Sequence, residues 1–314
     1  MATNDADNAN LWIVDYCLEK TSQPNGVVIL PSRQAWEQYQ WTHQYFSGKP
    51  KQGYFIWVKE QPPCPLSTLI EIQQPDLAQN LTNLLVVEAG ARAELGESCR
   101  AAAAGLRASH HAVGTIVLRP QSQLNIKLAQ DWGRQDQVKT STEFILEEDS
   151  SINYTFRPTN CPSRTDLKAK FVLKQQASAK LNIIADCKNT EFNSVDEMLL
   201  TGKGASGISN LRFISRDKAV IKADSKITAE AAASGHLDCQ SLNLSPSAQV
   251  SLSPEVVVNH NQARVTHEAS IGKVSQKQLN YLRMRGLSES EAIELIVSGF
   301  LQPAASTPAA DSQT

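Results

Sequence analysis

The 314-residue chain carries 30 basic and 32 acidic residues, and 41% of it is hydrophobic, enough for a sizeable core. So even a balance excludes the basic field that would hold nucleic acid or an anionic membrane surface, and no apolar run approaches the roughly 20 residues that span a bilayer. Six scattered cysteines (Cys17, Cys64, Cys99, Cys161, Cys187, Cys239) form no CxxC pair, which excludes a zinc ribbon, a ferredoxin-type cluster motif and a crowded secreted disulfide framework, and leads us to expect reducing cytoplasm.

Residues 1–10 open on an acidic, polar stretch with the form of neither a signal nor a transit peptide, and disorder is expected there. Residues 11–75 follow, with four of the five tryptophans (Trp12, Trp36, Trp41, Trp57) before residue 60, and read as a small α/β cap. The stretch Gln61-Pro-Pro-Cys-Pro65 breaks any regular element within it.

Between residues 76 and 262 short β-rich runs recur, separated by Gly, Ser, Asn and Pro. Aligning a small or polar entry residue gives copies starting at Ala91, Ser122, Ser150, Ala179, Ala219 and Ala248, at intervals of 31, 28, 29, 40 and 29 residues. Second runs such as Thr115-Ile-Val-Leu118 and Ala169-Lys-Phe-Val-Leu173 fall between them. A unit of about 29 residues with two short strands cannot bury both its faces alone, whereas stacking units along an axis pairs each strand with the next copy. A β-helix or β-solenoid is therefore expected, with a sandwich as the rival.

The end of the chain, 263–301, switches to helix. Ser275-Gln-Lys-Gln278 and Ser288-Glu-Ser-Glu291 have capping-box form, and Gly286 stands where a C-cap wants positive φ. Leu279, Tyr281 and Leu282 give one helix an apolar stripe, and Ala292, Ile293, Leu295, Ile296 and Phe300 do so for the next. The Pro/Ala/Ser/Thr tail, 302–314, reads as disordered.

Catalytic motifs are scarce. The chain has no GxSxG, no HExxH and no phosphate-loop lysine, and Gly202-Lys-Gly204 reads as a turn. His110 and His111, adjacent on a strand, would point to opposite faces and could not chelate one ion. His267-Glu268, at the junction between β runs and helices, offers an imidazole and a carboxylate as iron ligands or proton handlers, or is simply a polar junction.

Residues 264–300 (Arg-Val-Thr-His-Glu-Ala-Ser-Ile-Gly-Lys through Leu-Ile-Val-Ser-Gly-Phe) closely resemble the C-terminal segment of the SufB/SufD family, whose pattern runs V-E-H-E-A, then Q-L-F-Y-L-x-x-R-G-L-S-E-E-E-A, then L-I-V-x-G-F. Weaker likenesses at 87–99 and 110–132 extend the resemblance over about residues 80–301. It implies a mainly β chain with a right-handed parallel β-helix core. It further implies a non-catalytic scaffold for iron–sulfur cluster assembly that pairs with a second SufB/SufD-like subunit through the end of that core. Residues of the C-terminal helices (Leu279, Leu282, Arg285, Gly286, Leu287, Ile293, Leu295, Ile296, Phe300) would dock the SufC-type ABC ATPase, which hydrolyses ATP in its own chain. A cysteine desulfurase or other sulfur donor would be a further partner.

By position, Cys99 matches the family cysteine that accepts sulfur, Gln130 and Trp132 match residues of its sulfur path, and His267 and Glu268 match a His-Glu pair near the cluster. That pair favours a SufB-like member, since SufD-type members replace the Glu with Gly. The sequence departs from the family where Ala248 stands in place of a cluster-ligating cysteine, for which Cys239 is the substitute candidate, and where Glu71 and Gln73 stand for Arg and Asn. A cluster-free, SufD-like partner and a β-helical polysaccharide-active enzyme are the alternatives.

Overall fold

A computed structural model describes residues 9–302. Its strands alternate between two sheets as the chain winds through about eight turns of a parallel β-solenoid. One sheet stacks, in order, β1 (Leu11–Val14), β5 (Leu66–Ile72), β7 (Arg92–Ala101), β9 (Gln123–Asp131), β11 (Ser151–Asn160), β13 (Ser178–Lys188), β15 (Ser206–Arg216), β17 (Ser234–Asn243) and β19 (Arg264–Lys273). The other stacks β4 (Tyr54–Val58), β6 (Ala78–Val87), β8 (Ser109–Leu118), β10 (Gln137–Leu146), β12 (Arg164–Leu173), β14 (Glu191–Leu200), β16 (Val220–Ala229) and β18 (Gln249–Val258).

Alternation decides which residues enter the lumen. In β12 the inward Thr165, Leu167, Ala169, Phe171 and Leu173 are buried, while Lys168 on the opposite face is exposed. At one corner, small buried residues close successive β-turns: the amides of Ala91, Ser122, Ser150, Ala177 and Ala205 each donate to the carbonyl three residues earlier. The residue before each is left-handed (Gly90, Gln121, Asp149, Gln176, Gly204).

Strand register sets the true repeat: Gln137 pairs with Arg164, 27 residues on, and Ala78 with Ser109, 31 on. The 40-residue interval in the sequence alignment is a change of sheet. Ala91, Ser122 and Ser150 precede strands of the first sheet, where the next equivalents are Ala177 and Ala205, whereas Ala219 and Ala248 precede β16 and β18 of the second.

The two ends differ. At the start, β2 (Cys17–Thr21) and β3 (Val27–Pro31) pair antiparallel with β1 and β4 and close both sheets. On the outer face of the second sheet lie α1 (Ser32–Gln38), a 3₁₀ turn (Gln40–Tyr45) and an aromatic cluster of Trp36, Tyr39, Trp41, Tyr45, Phe46, Phe55 and Trp57, packed on Leu84, Val86 and Val117. Gly53 lets the cap approach β6, because at φ +122° a Cβ there would sit 2.1 Å from the Thr82 carbonyl oxygen. Ala9 is buried and the Asn10 side-chain oxygen accepts from the Ser67 amide, so these two residues belong to the packed cap; the rest of 1–10, and the tail beyond 302, lie outside the described residues.

At the other end β18 and β19 are the last strands of their sheets, and the strand run continues to Lys273, beyond the expected boundary at 262. Helices α2 (Gln276–Met284) and α3 (Glu289–Phe300) then fold back, and Ile293, Ile296, Val297 and Phe300 pack on Ile214 and Leu242. Ser288 and Glu291 form the expected capping box, the Ser275 hydroxyl accepts from the Gln278 amide, and Gly286 has φ +96°. No described helix is long and apolar enough to cross a membrane.

Candidate functional site

Strand alternation turns Glu97 and Cys99 of β7, His110 of β8, Gln130 of β9 and Thr140 of β10 inward around a cavity of about 50 Å³, closed by Tyr54 and Tyr154. The Tyr54 hydroxyl donates to Glu97 Oε1 at 2.8 Å. Burial raises the Glu97 carboxyl above its ordinary range, and burial with Glu97 alongside pushes the Cys99 thiol well up. Glu97 and Cys99, two residues apart on β7, thus set a carboxyl and a thiol side by side in the chamber.

Cys99 and Gln130 are registered neighbours on β7 and β9. Both amide atoms of Gln130 are buried without a protein partner, as is the Trp132 indole nitrogen. His110 stacks on Trp132 with ring centroids 5.2 Å apart, bonds Gln79 through Nδ1 at 2.7 Å, and is held by burial at a pKa of about 4. Its neighbour His111 lies on the outer face, as alternation requires. Trp132 in turn lines an open groove with Gly133, Arg134, Cys161 and Lys188. The structure thus brings Cys99, Gln130 and Trp132 together.

Further along, the lumen turns dry. Leu167, Ala169, Phe171 and Leu173 of β12 face Leu181, Ile183 and Ala185 of β13, all buried. Phe144 stacks on Phe171 at 4.1 Å, and Phe156, Phe192 and Phe213 continue the packing. Beyond this layer a second polar cluster appears. Asp196 Oδ2 accepts from the hydroxyls of Ser209 (2.9 Å) and Ser225 (2.5 Å), its Oδ1 has no protein partner, and burial raises its pKa to about 6. Cys239 stands beside it, its pKa pushed up to about 12 by burial and by Asp196 and Asp238.

His267 registers with the inward Leu237 and Glu268 with the outward Asp238, so the two residues leave opposite faces of β19. His267 shares its face with Cys239, which registers with Ala269 two residues along. Ala248 is buried at the corner before β18. Glu71, at a position of the expected departure, pairs with Arg100 at 2.7 Å and accepts from Gln73. Among the described residues no three His, Cys, Asp or Glu side chains converge as a metal site.

Of the nine docking residues, Leu279, Ile293, Ile296 and Phe300 are turned at least partly into the protein, whereas Leu295, Arg285 and Gly286 are exposed and Leu282 and Leu287 half-buried. Tyr281 and Met284 add exposed apolar surface, with Met284 at 79%.

The model of the SUF system FeS cluster assembly SufBD core domain matches residues 70–300, well over half of the chain. The chain belongs to the SufBD family. A SufBD family iron–sulfur cluster assembly protein of Pyrococcus horikoshii is 29% identical over 255 residues, covering 80% of this chain and 57% of the relative. One from Archaeoglobus fulgidus is 24% identical over 88% of this chain and 79% of its own length, and one from Methanocaldococcus jannaschii 35% identical over 43% of each. The SufBD match takes in both polar clusters, the terminal strands and α2–α3, and leaves most of the aromatic cap outside it. Tyr54 and Asp196 carry no sequence signal of their own, because a polar residue at an inward position stands out only once each strand's phase is known.

Proposed function

We propose that this SufBD chain is a non-catalytic, SufB-like scaffold of the SUF system, with the iron–sulfur cluster as its cargo. A sulfur donor, such as a cysteine desulfurase, loads Cys99, with Gln130 and Trp132 lining the way out to the groove. A second SufB/SufD-like solenoid continues β18 and β19. A SufC-type ABC ATPase docks on the outward side of α2 and α3, around Tyr281, Met284 and Leu295, and hydrolyses ATP.

The observation that carries this reading is the uncovered last turn. Val258 of β18 and Ile271 of β19 are 48% and 51% exposed on strands with no neighbour beyond among the described residues, and an unpaired strand edge of this kind is a template for pairing with another chain. His267 opens there beside Cys239, where a cluster shared between two chains would find an imidazole and a thiol.

Anaerobic reconstitution with iron and sulfide, read by visible absorption and iron counting, tests the cargo: wild type binds iron, while Cys239→Ser, His267→Ala and the double variant bind less. Equal iron in all four would overturn it. Co-purification with the ATPase tests docking, and its survival in Met284→Asp/Leu295→Asp would refute that role. Ala248 in the expected cysteine position and the opposed faces of His267 and Glu268 favour a second reading, a cluster-free SufD-like partner that supports the complex; iron bound by the pair with a second family member and unchanged by Cys239→Ser and His267→Ala in this chain would select it.

A further inference from the structure

Sulfur in an iron–sulfur cluster is sulfide, whereas a persulfide delivers it two electrons more oxidised. Cys99 is the one cysteine lining its chamber and cannot supply both electrons through a neighbouring thiol there. Elsewhere two thiols do meet. Cys161, between β11 and β12, and Cys187, near the end of β13, have Sγ atoms 3.9 Å apart. Cys161 is half-buried on the groove beside Trp132, and Cys187 lies fully buried beneath it. The Cys161 thiol is 3.6 Å from the Asp186 carbonyl oxygen, a donor contact that leaves the Cys187 proton to point at Cys161 Sγ. The groove has a volume of about 480 Å³; Arg134, Lys188 and Asp186 line it, with Lys188 held 3.7 Å from Asp217 and Asp186 paired with Arg216, which leaves Arg134 as the cation facing a reactant at Cys161.

We propose that Cys161 and Cys187 form a dithiol site that takes sulfane sulfur from a persulfide and releases it as sulfide. The assignment rests on the sulfur-handling role above. In the first step Cys161 Sγ attacks the outer sulfur of R–S–SH, the S–S bond of that persulfide breaks, RS⁻ leaves with the Cys161 proton as RSH, and Cys161 is left as Cys161–S–SH. In the second, Cys187 Sγ attacks Cys161 Sγ, the new S–S bond breaks, and HS⁻ departs with the Cys187 proton. The sulfane sulfur gains two electrons, and the two thiols lose them as a Cys161–Cys187 disulfide. A dithiol reductant restores the pair by exchange. The hydrogen bond to Cys161 and burial push the Cys187 thiol up, which orders the steps: the groove thiol reacts first and the buried one resolves.

The test uses the full, reduced chain with glutathione persulfide, without iron or ATPase. Wild type should release about one sulfide per chain and yield a linked peptide pair containing Cys161 and Cys187. Cys187→Ser should retain one added sulfur on Cys161 and release sulfide at least about tenfold more slowly, and Cys161→Ser should do neither. Sulfide release as fast from Cys187→Ser as from wild type, or added sulfur confined to the exposed Cys17 and Cys64, overturns the proposal. The linked peptide in wild type decides the matter should a variant fold poorly. Failure here leaves the scaffold reading intact with another reductant, and a failed iron reconstitution leaves sulfide release measurable.

Discussion

The first half of the solenoid is finished and the second is not. Ahead of the dry β12–β13 layer, antiparallel β2 and β3 close the two sheets and the aromatic cluster covers the outer face of the second; past it, each sheet ends on a bare strand with no fully buried residue, β18 half-buried and β19 mostly exposed. A stack of parallel strands needs something at each end, because every turn borrows its burial from the next. One end carries its cover in its own sequence, and the other leaves inward-facing His267 and Ile271 without one.

The largest effect should come from the sealed end. Phe55 is fully buried against Tyr39, Trp41 and Trp57, so Phe55→Ala should cost about 3–5 kcal/mol in urea unfolding. At the open end Ile271→Ala should stay within about 0.5 kcal/mol. Comparable losses would mean that the last turn is as well packed as the first.

The two polar clusters should respond oppositely to pH. His110 has its pKa depressed to about 4, so the unfolded chain takes up the proton first and stability falls as pH drops from about 6.5 to 4. Asp196 is raised to about 6 from an ordinary 3.8, so the folded chain holds the extra proton and stability falls as pH rises through that window. Each contributes on the order of 2–3 kcal/mol across its range. Asp196→Asn should expose the His110 slope and His110→Gln the Asp196 slope in unfolding measured at several pH values; unchanged profiles would refute the assignment.

A smaller effect tests how α3 is tied down. Arg216 bonds both oxygens of Glu294 on α3 (2.7 and 3.1 Å) and both of Asp186 (2.9 and 3.1 Å). Since Glu294 is 59% exposed, Arg216→Ala should cost about 1 kcal/mol or less, read as faster amide exchange in α3 with the solenoid strands unchanged. Least visible of all in stability, Val258→Lys and Ile271→Lys should leave the midpoint within about 0.5 kcal/mol while abolishing pairing with a second solenoid, as measured by solution mass.

Much of this was legible in the sequence. The repeat near 29 residues specified stacking, and the capping residues Ser275 and Ser288 marked both helices. Which sheet each copy belonged to was not legible, because strands of both sheets begin after the same kind of small corner residue, Ala177 in one and Ala219 in the other. The alternation rule that separated His110 from His111 applies equally to His267 and Glu268, once β19 is known to be a strand. The resemblance implies docking through the apolar residues of α3, yet a stripe records only that something covers it, and here Ile214 and Leu242 cover much of it. The meeting of Cys161 with Cys187 depends on how one corner lies over the next, which no spacing encodes.

The phenylalanine layer makes the lumen two compartments with a bulkhead between them. An anion on the Cys99 side would have to shed its hydration to cross Phe144, Phe171 and Phe192, so the apolar layer opposes passage along the axis. The long interior is therefore no pipe: it holds two separate polar chambers, each closed off from the other by hydrocarbon.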